Sequence, residues 1–211
     1  MNSVEKKVAQ YLLEINAVQL RPAEPFTWAS GWKSPIYCDN RKILSYPKIR
    51  TEICQYIVDT VKQYFGNVDI IAGVATGAIA FGALVAASMN KPFIYIRPKA
   101  KDHGLGARIE GDLPKGANVV IIEDLISTGM SSLSAADCVT KSGGNVEGMV
   151  AIFSYNFPKS RRAFEYADVE LHTLSNYDAL IDEAVAQKYI DETDIEVLKD
   201  WRFKPDTWDI I

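Results

Sequence analysis

The most informative segment of the chain is Val119-Val120-Ile121-Ile122-Glu123-Asp124-Leu125-Ile126-Ser127-Thr128-Gly129-Met130-Ser131. Its first four residues are β-branched, and such a run predicts a strand that is buried on both faces. The two acids then fall at the carboxyl end of this strand, where open α/β sheets bind their ligands. The small hydroxylated residues and the glycine predict a tight turn with free N–H groups at a helix N-terminus. A phosphate cradle beside two carboxylates suits a ligand with sugar hydroxyls at one end and a phosphate at the other.

Other folds also place acids between a buried strand and a helix, among them response regulators and nucleotide-binding proteins. The chain lacks G-x-G-x-x-G after any predicted strand, and it lacks G-x-x-x-x-G-K-[ST]. These two absences disfavour a dinucleotide-binding fold and a P-loop fold.

Predicted strands and helices alternate from Val68 onward, and this implies right-handed crossovers in an α/β fold. The predicted strands cover residues 68–74, 93–96, 118–122, 146–153 and 169–173. The predicted helices cover residues 4–15, 45–65, 78–89, 130–142, 158–166 and 177–187. Ser45 is the expected N-cap of the second helix, and Pro47 fits its first turn. We expect one domain over residues 1–211, with a mainly parallel central sheet flanked by helices and a core over about 45–190.

Two segments fall outside the alternation, and we expect them to form a small hood over the sheet. Residues 26–41 predict two short strands around a Ser-Gly turn, within a hood of about residues 20–42. Residues 191–211 predict a short helix and a tail whose aromatic residues pack against the hood or the core. Those residues are Trp201, Phe203 and Trp208. Trp28 and Trp32 in the hood can either join this packing or contact a ligand.

The composition excludes several classes of protein. A net charge of −4 argues against general nucleic-acid binding, which depends on Lys and Arg. The three cysteines lack metal-type spacing and are expected to be reduced thiols in a cytoplasmic protein. Residues 70–90 carry no charge and are long enough to cross a bilayer, but four interruptions, at Gly73, Thr76, Gly77 and Gly82, predict a strand, a turn and a packed helix instead. We therefore expect no membrane partner.

Residues 97–111 follow the second strand of the alternation and are basic at their start and rich in glycine near their end. One interpretation is a solvated surface loop. The other is a mobile cationic lid that closes over a polyanion, with donors from Arg97, Lys99, Lys101 and His103.

The segment around Glu123 and Asp124 resembles the signature of the type I phosphoribosyltransferases, which bind 5-phosphoribosyl 1-diphosphate (PRPP). Two further motifs narrow the resemblance to the orotate phosphoribosyltransferase family. They are Arg-x-x-x-Lys-x-His-Gly from Arg97 and Phe-Thr-x-x-Ser-Gly-x-x-Ser-Pro-x-Tyr from Phe26. The resemblance implies the type I phosphoribosyltransferase fold and transfer of ribosyl phosphate from PRPP to orotate. It also implies a homodimer in which each lid reaches the partner's site.

The resemblance also implies roles for individual residues. Those implied in catalysis are Lys101, His103 and Asp124. Those implied in PRPP binding are Arg97, Lys101, His103, Glu123, Asp124, Leu125, Ile126, Ser127, Thr128, Gly129, Met130 and Ser131. Those implied in orotate binding are Ser127, Ser30, Gly31, Ile36 and Tyr37. Mg²⁺ is the expected cofactor, and we expect PRPP oxygens rather than a protein cage to hold it.

The chain departs from the family at three positions where many members carry a basic residue, namely Ala29, Thr76 and Pro98. Lys33 and Lys99 can partly replace these charges. Two other functions remain open from the residues. One is a phosphoribosyltransferase for another nucleobase, and the other is a PRPP-binding regulatory protein without catalysis.

Overall fold

The computed structural model describes residues 3–28, 31–99 and 108–208. The strands in chain order are β1 (Val18–Leu20), β2 (Phe26–Thr27), β3 (Lys33–Ser34), β4 (Ile36–Cys38), β5 (Ile70–Val74), β6 (Phe93–Ile96), β7 (Ile109–Glu110), β8 (Asn118–Ile126), β9 (Asn145–Ser154) and β10 (Leu171–Asn176). The α-helices are α1 (Ser3–Glu14), α2 (Pro47–Tyr64), α3 (Ile79–Met89), α4 (Met130–Lys141), α5 (Pro158–Ala167), α6 (Tyr177–Ala186) and α7 (Asp194–Phe203), and a 3₁₀ helix covers Asn40–Ser45.

The central sheet has six strands in the order β10-β9-β8-β5-β6-β7. Its first five strands are parallel, and β7 runs antiparallel to β6 at the edge. The predicted α/β fold with a mainly parallel sheet is confirmed. Because parallel strands end at the same edge, the loops after β5, β6, β8 and β9 meet there.

The strands differ from the prediction at several boundaries, and one strand was missed. Strand β8 does not end at Ile122 but continues to Ile126, because Leu125 and Ile126 pair with Phe153 and Ser154 of β9. Strand β7 was not predicted at all. Its two residues lie within a polar segment, and only their pairing with Tyr95 and Ile96 makes them a strand.

Residues 119–122 of β8 are buried on both faces of the sheet, as predicted. The alternate residues Val120 and Ile122 lie in an apolar cluster with α1, α2, α3 and α6, while Val119 and Ile121 lie in a second cluster with α4 and α5. All four side chains are fully buried. Each such side chain contributes about 1.5–3 kcal/mol relative to an exposed one, so the two clusters fix the strand from both sides.

The start of α2 differs from the prediction. Ser45 is not its N-cap but ends the 3₁₀ helix, and Tyr46 takes the N-cap position without a side-chain hydrogen bond. Pro47 opens the helix because its ring presets φ and it has no N–H group to satisfy. The uncharged stretch 70–90 forms β5, a turn and the 11-residue helix α3. Within the described ranges, no helix is long and apolar enough to span a bilayer.

The hood forms as predicted from two short strands, with Phe26 of β2 paired to Ser34 of β3. Gly31 in the turn between them has φ of +87°, a value that favours glycine. Trp201 of α7 is fully buried, and its Nε1 donates to the Lys33 carbonyl oxygen at 3.1 Å. The predicted packing was wrong for Phe203, which is 67% exposed. Trp201 and Phe203 are two positions apart on α7, so their side chains point roughly 200° apart around the helix axis and cannot both face the core.

Candidate active site

The carboxylate of Asp124 faces a cavity of about 350 Å³ at the carboxyl edge of the sheet. The loop after β5 approaches closely here, since any side chain at Gly77 would overlap the Asp124 carboxylate. The cavity is lined by Cys38, Asp39, Arg41, Val74, Ala75, Thr76, Gly77, Glu123, Asp124, Leu125 and Ser131. The structure therefore leaves open space beside Asp124, the acid predicted to be catalytic.

Glu123 is held differently from its neighbour. Only 5% of the residue is exposed, and its carboxylate accepts hydrogen bonds from Ser132 Oγ at 2.9 Å and from the Asp124 N–H at 3.0 Å. Burial raises the pKa of Glu123 well above its ordinary value, and the nearby Asp124 charge raises it further. Glu123 thus links β8 to α4, while Asp124 is the acid that is more open to the cavity.

The predicted phosphate cradle is the turn between β8 and α4. Gly129 is the N-cap of α4 with φ of +80°, and a Cβ there would also come within 2.8 Å of the Phe164 ring. No side chain caps this helix end. The first N–H groups of a helix lack intrahelical partners, and together with the helix dipole they attract an anion. The turn is therefore suited to a phosphate group.

Three apolar residues of the predicted PRPP-binding set differ in burial and in their position relative to the cavity. Ile126 is fully buried, and its carbonyl oxygen accepts a hydrogen bond from the Tyr155 N–H at 3.0 Å, so it belongs to the core. Leu125 lines the cavity. Met130 is 70% exposed at the start of α4. The Ile126 side chain is therefore part of the core and Leu125 borders the cavity, while their roles in PRPP binding stay predictions.

A second cavity of about 350 Å³ lies beside the first one, and Cys38 and Leu125 line both. It is lined by Thr27, Trp28, Tyr37, Cys38, Leu125, Ser127 and Tyr155. None of these lining residues carries a formal charge at neutral pH, and three of them are aromatic. Such a pocket suits a flat ring with polar edges.

The residues predicted to bind orotate divide between this cavity and its surroundings. Ser127 and Tyr37 line it, and Gly31 lies in the hood turn. Ile36 is fully buried, and its carbonyl oxygen accepts hydrogen bonds from Trp28 Nε1 and from Ser34 Oγ. A contact through the Ile36 side chain is therefore not supported. Ser30 lies outside the described residues.

The polar residues that join the hood to this edge of the sheet were not among the site residues predicted from the sequence. Arg41 binds Asp39 in a two-pronged ion pair at 2.6 and 3.0 Å, and both residues line the first cavity. The buried Asn40 donates from Nδ2 to the carbonyl oxygen of Asp124 at 2.6 Å. The only signal in the sequence was a short polar cluster directly after the hood motif.

The basic segment after β6 is described only at its two ends. Arg97 forms an ion pair with Glu110 at 3.5 Å, and its N–H donates to the carbonyl oxygen of Arg108 at 2.8 Å. The strand pair β6–β7 therefore closes the base of the segment. The prediction from sequence had been a loop over the whole of residues 97–111. Lys101 and His103 lie outside the described residues.

The described residues contain no set of three or more His, Cys, Asp or Glu side chains arranged to hold a metal ion. The oxygen-bearing side chains that line the first cavity are the carboxylates of Asp39, Glu123 and Asp124 and the hydroxyls of Thr76 and Ser131. These oxygen ligands suit a hard cation such as Mg²⁺, which commonly takes one or two carboxylates and completes its shell with substrate phosphates and water. The donor set therefore fits Mg²⁺ that a polyphosphate substrate brings with it.

The chain is similar to known proteins in both sequence and structure. The model of the phosphoribosyl transferase domain matches residues 39–188. An orotate phosphoribosyltransferase of Bacteroides thetaiotaomicron is 54% identical over 209 residues, which cover 99% of each chain. A solved orotate phosphoribosyltransferase of Aeropyrum pernix has a TM-score of 0.75 at 24% identity, over 87% of this chain and 99% of that one. The UMP synthase of Leishmania donovani has a TM-score of 0.78 at 25% identity, over 94% of this chain and 42% of the longer chain.

Proposed function

The chain belongs to the orotate phosphoribosyltransferase family, and we propose that its two cavities bind PRPP and orotate for the transfer of ribosyl phosphate. The products of this transferase reaction are orotidine 5′-monophosphate and pyrophosphate, in a step of pyrimidine biosynthesis. The observation that carries the proposal is the shared wall of the two cavities. An acidic cavity beside a phosphate cradle opens next to a neutral aromatic one, with Cys38 and Leu125 between them.

PRPP matches the first cavity group by group. The ribose hydroxyls can donate to the Asp124 carboxylate, and the 5′-phosphate can accept from N–H groups of the turn at Ser127–Ser131. Glu123 supports the site from within the fold, because its hydrogen bonds to Ser132 and to the Asp124 N–H hold β8 and α4 together. Bound Mg²⁺ would neutralise charge on the diphosphate, with Asp124 as the carboxylate best placed to assist. The proposal assigns no covalent nucleophile to the protein.

The departing pyrophosphate needs positive charge on the open side of the first cavity. We assign this task to Arg97, Lys101 and His103, following the family resemblance. The backbone of Arg97 lies close to the first cavity. Ala75 lines that cavity, and its N–H donates to the carbonyl oxygen of Ile96, the residue before Arg97, at 2.9 Å. Its present partner is Glu110, so binding a diphosphate would require exchange of that ion pair.

Three parts of the proposal concern the setting of the reaction. The chain acts as a homodimer, and the segment that carries Lys101 completes the partner's site. Mg²⁺ enters with PRPP. The enzyme works in the cytoplasm, which agrees with three free cysteines among the described residues. A regulatory protein without catalysis, or an enzyme for another nucleobase, is disfavoured because the full-length relative is an orotate phosphoribosyltransferase.

A direct assay tests the function. The purified chain should consume orotate, followed by its ultraviolet absorbance, only when PRPP and Mg²⁺ are both present. Uracil and hypoxanthine at equal concentration should be poor substrates. Omission of PRPP serves as the control for orotate loss by other routes. Turnover of hypoxanthine at a comparable rate would reject orotate as the substrate and leave only the phosphoribosyltransferase class.

A further inference from the structure

An aromatic cluster of Trp28, Tyr155, Tyr177 and Trp201 lies behind the second cavity. Most of its polar side-chain atoms form hydrogen bonds within the protein. Trp28 Nε1 donates to the carbonyl oxygen of Ile36 at 3.2 Å, and Trp201 Nε1 donates to that of Lys33 at 3.1 Å. The Tyr177 hydroxyl donates to the carbonyl oxygen of Leu198 at 2.9 Å. These bonds fix the rings in place and leave those three groups committed within the protein.

Tyr155 differs from the rest of the cluster. Its ring packs against Trp28 and Trp201 with centroids 5.6 and 5.7 Å away, and the residue is 2% exposed. Within the described part of the chain, its hydroxyl has no hydrogen-bond partner. Every buried side-chain nitrogen or oxygen described in the structure does have a partner. The hydroxyl oxygen must therefore reach the open space of the second cavity, which Tyr155 lines.

A hydroxyl in this position acts as a hydrogen-bond donor. Burial raises the pKa of Tyr155 well above its ordinary value, and negative charge at Cys38 would raise it further. The group consequently stays protonated at neutral pH. A donor that faces a narrow cavity and has no protein partner can gain a hydrogen bond from a ligand's acceptor atom. The cavity thus presents one preoriented donor at its inner wall.

We propose that Tyr155 is a base-recognition residue whose hydroxyl donates to a carbonyl oxygen on the ring of the bound pyrimidine. This role of Tyr155 rests on the proposed function, and Tyr155 was not among the residues predicted to bind orotate. The carboxylate of orotate would then point away from Tyr155. Burying a charge without a counter-charge is costly, and Lys33 offers one at the exposed rim, where its Nζ donates to Thr27 Oγ1 at 2.9 Å.

The test removes only the hydroxyl. For Tyr155→Phe, we expect KM for orotate to rise about three- to tenfold, which is the loss of one neutral hydrogen bond. The value of kcat should change less than KM, because the contact forms already in the ground state. KM for PRPP should stay within twofold, roughly the precision of such comparisons. The melting temperature should not fall, because the hydroxyl has no protein partner to lose.

Tyr177→Phe is the matched control, since it makes the same change in the same cluster. It removes the bond to the Leu198 carbonyl oxygen and should therefore lower the melting temperature while KM for orotate stays at the wild-type value. An unchanged KM for orotate in Tyr155→Phe, with normal wild-type turnover, would overturn the inference alone. A melting temperature that falls as in Tyr177→Phe, without a change in KM, would reduce Tyr155 to a structural residue. Absence of orotate turnover in the wild type would overturn the proposed function, and the inference with it.

Discussion

Asn40 donates from Nδ2 to the carbonyl oxygen of Asp124 at 2.6 Å, and the two residues are 84 positions apart in the chain. The pairing of β8 with β5 ends at Ile122 and Gly73. Beyond that point β8 has an open side, and Asn40 supplies a donor there. The side chain of one residue in the 3₁₀ helix therefore holds the backbone of the proposed catalytic acid.

Loss of this bond should affect both stability and activity. Asn40 is 1% exposed, so Asn40→Ala should lower the free energy of unfolding by about 1–3 kcal/mol. It should also lower kcat/KM for PRPP, because Asp124 loses its support. Urea unfolding and initial rates measure the two effects. Asn145→Ala is the control, since it removes the bonds that Asn145 Nδ2 donates to the Gly116 carbonyl oxygen and to Asn118 Oδ1 at the other end of the sheet. Equal activity in both variants would refute the supporting role.

Asp124→Asn should damage PRPP binding and catalysis while the fold stays intact. The side chain faces a cavity, so its change opens no hole in the core, and repulsion with Glu123 is reduced. A rate loss of about a hundredfold is expected for removal of one preorganised charged group. Thermal unfolding and steady-state kinetics provide the measurements. Asp137→Asn on the exposed face of α4 is the control. A large fall in melting temperature would instead indicate a structural acid.

Glu123 should make stability depend on pH. Its pKa in the folded chain is raised above the ordinary value of 4.5, so the folded state binds the proton more tightly than the unfolded state. Stability is therefore lost as the pH rises from the ordinary pKa through the raised one. Each tenfold difference in proton affinity corresponds to about 1.4 kcal/mol.

Glu123→Gln removes this titration while keeping an oxygen that can accept a hydrogen bond. As the pH rises above the ordinary pKa of 4.5, the wild type should lose more unfolding free energy than the variant does. Urea unfolding at several pH values gives the comparison, and Glu165→Gln on the exposed face of α5 controls for the loss of an acid. Parallel pH profiles for the wild type and Glu123→Gln would contradict the raised pKa.

Lys101→Ala should lower turnover much more than it weakens orotate binding. The proposed partner of this lysine is the departing pyrophosphate, whose charge grows in the transition state. The loss in kcat should be about a hundredfold or more. Lys115→Ala is the control, because this exposed lysine lies at the opposite end of β8. Normal turnover with weaker orotate binding would show that the lid assignment is wrong.

Mixing two inactive variants tests the shared site. If the segment with Lys101 acts in the partner subunit, a dimer of Lys101→Ala with Asp124→Asn has one intact site and one site with both defects. Random pairing should then restore about a quarter of wild-type activity, since half of the dimers have one good site each. No recovery after subunit exchange, verified with differently tagged chains, would reject a site shared between subunits.

Much of the fold could be predicted because its determinants are local. The β-branched run at Val119–Ile122 and the polar turn after it define a buried strand and a helix start without reference to the rest of the chain. Boundaries were less predictable where a partner strand decides them. Leu125 and Ile126 extend β8 because β9 continues beside them, and β7 exists because β6 offers it an edge.

The sequence by itself determined the alternation of the main strands and helices, the acidic pair and the phosphate turn, since each depends on neighbours within a few residues. Tertiary structure alone decided which acid is more open to the cavity, because Glu123 is buried and bonded to Ser132 of α4. It also brought Asn40 to Asp124, and Tyr155 to the hood, across long stretches of chain. Contacts of this kind depend on how the hood folds back over the sheet. A local sequence pattern does not specify which distant residues will meet.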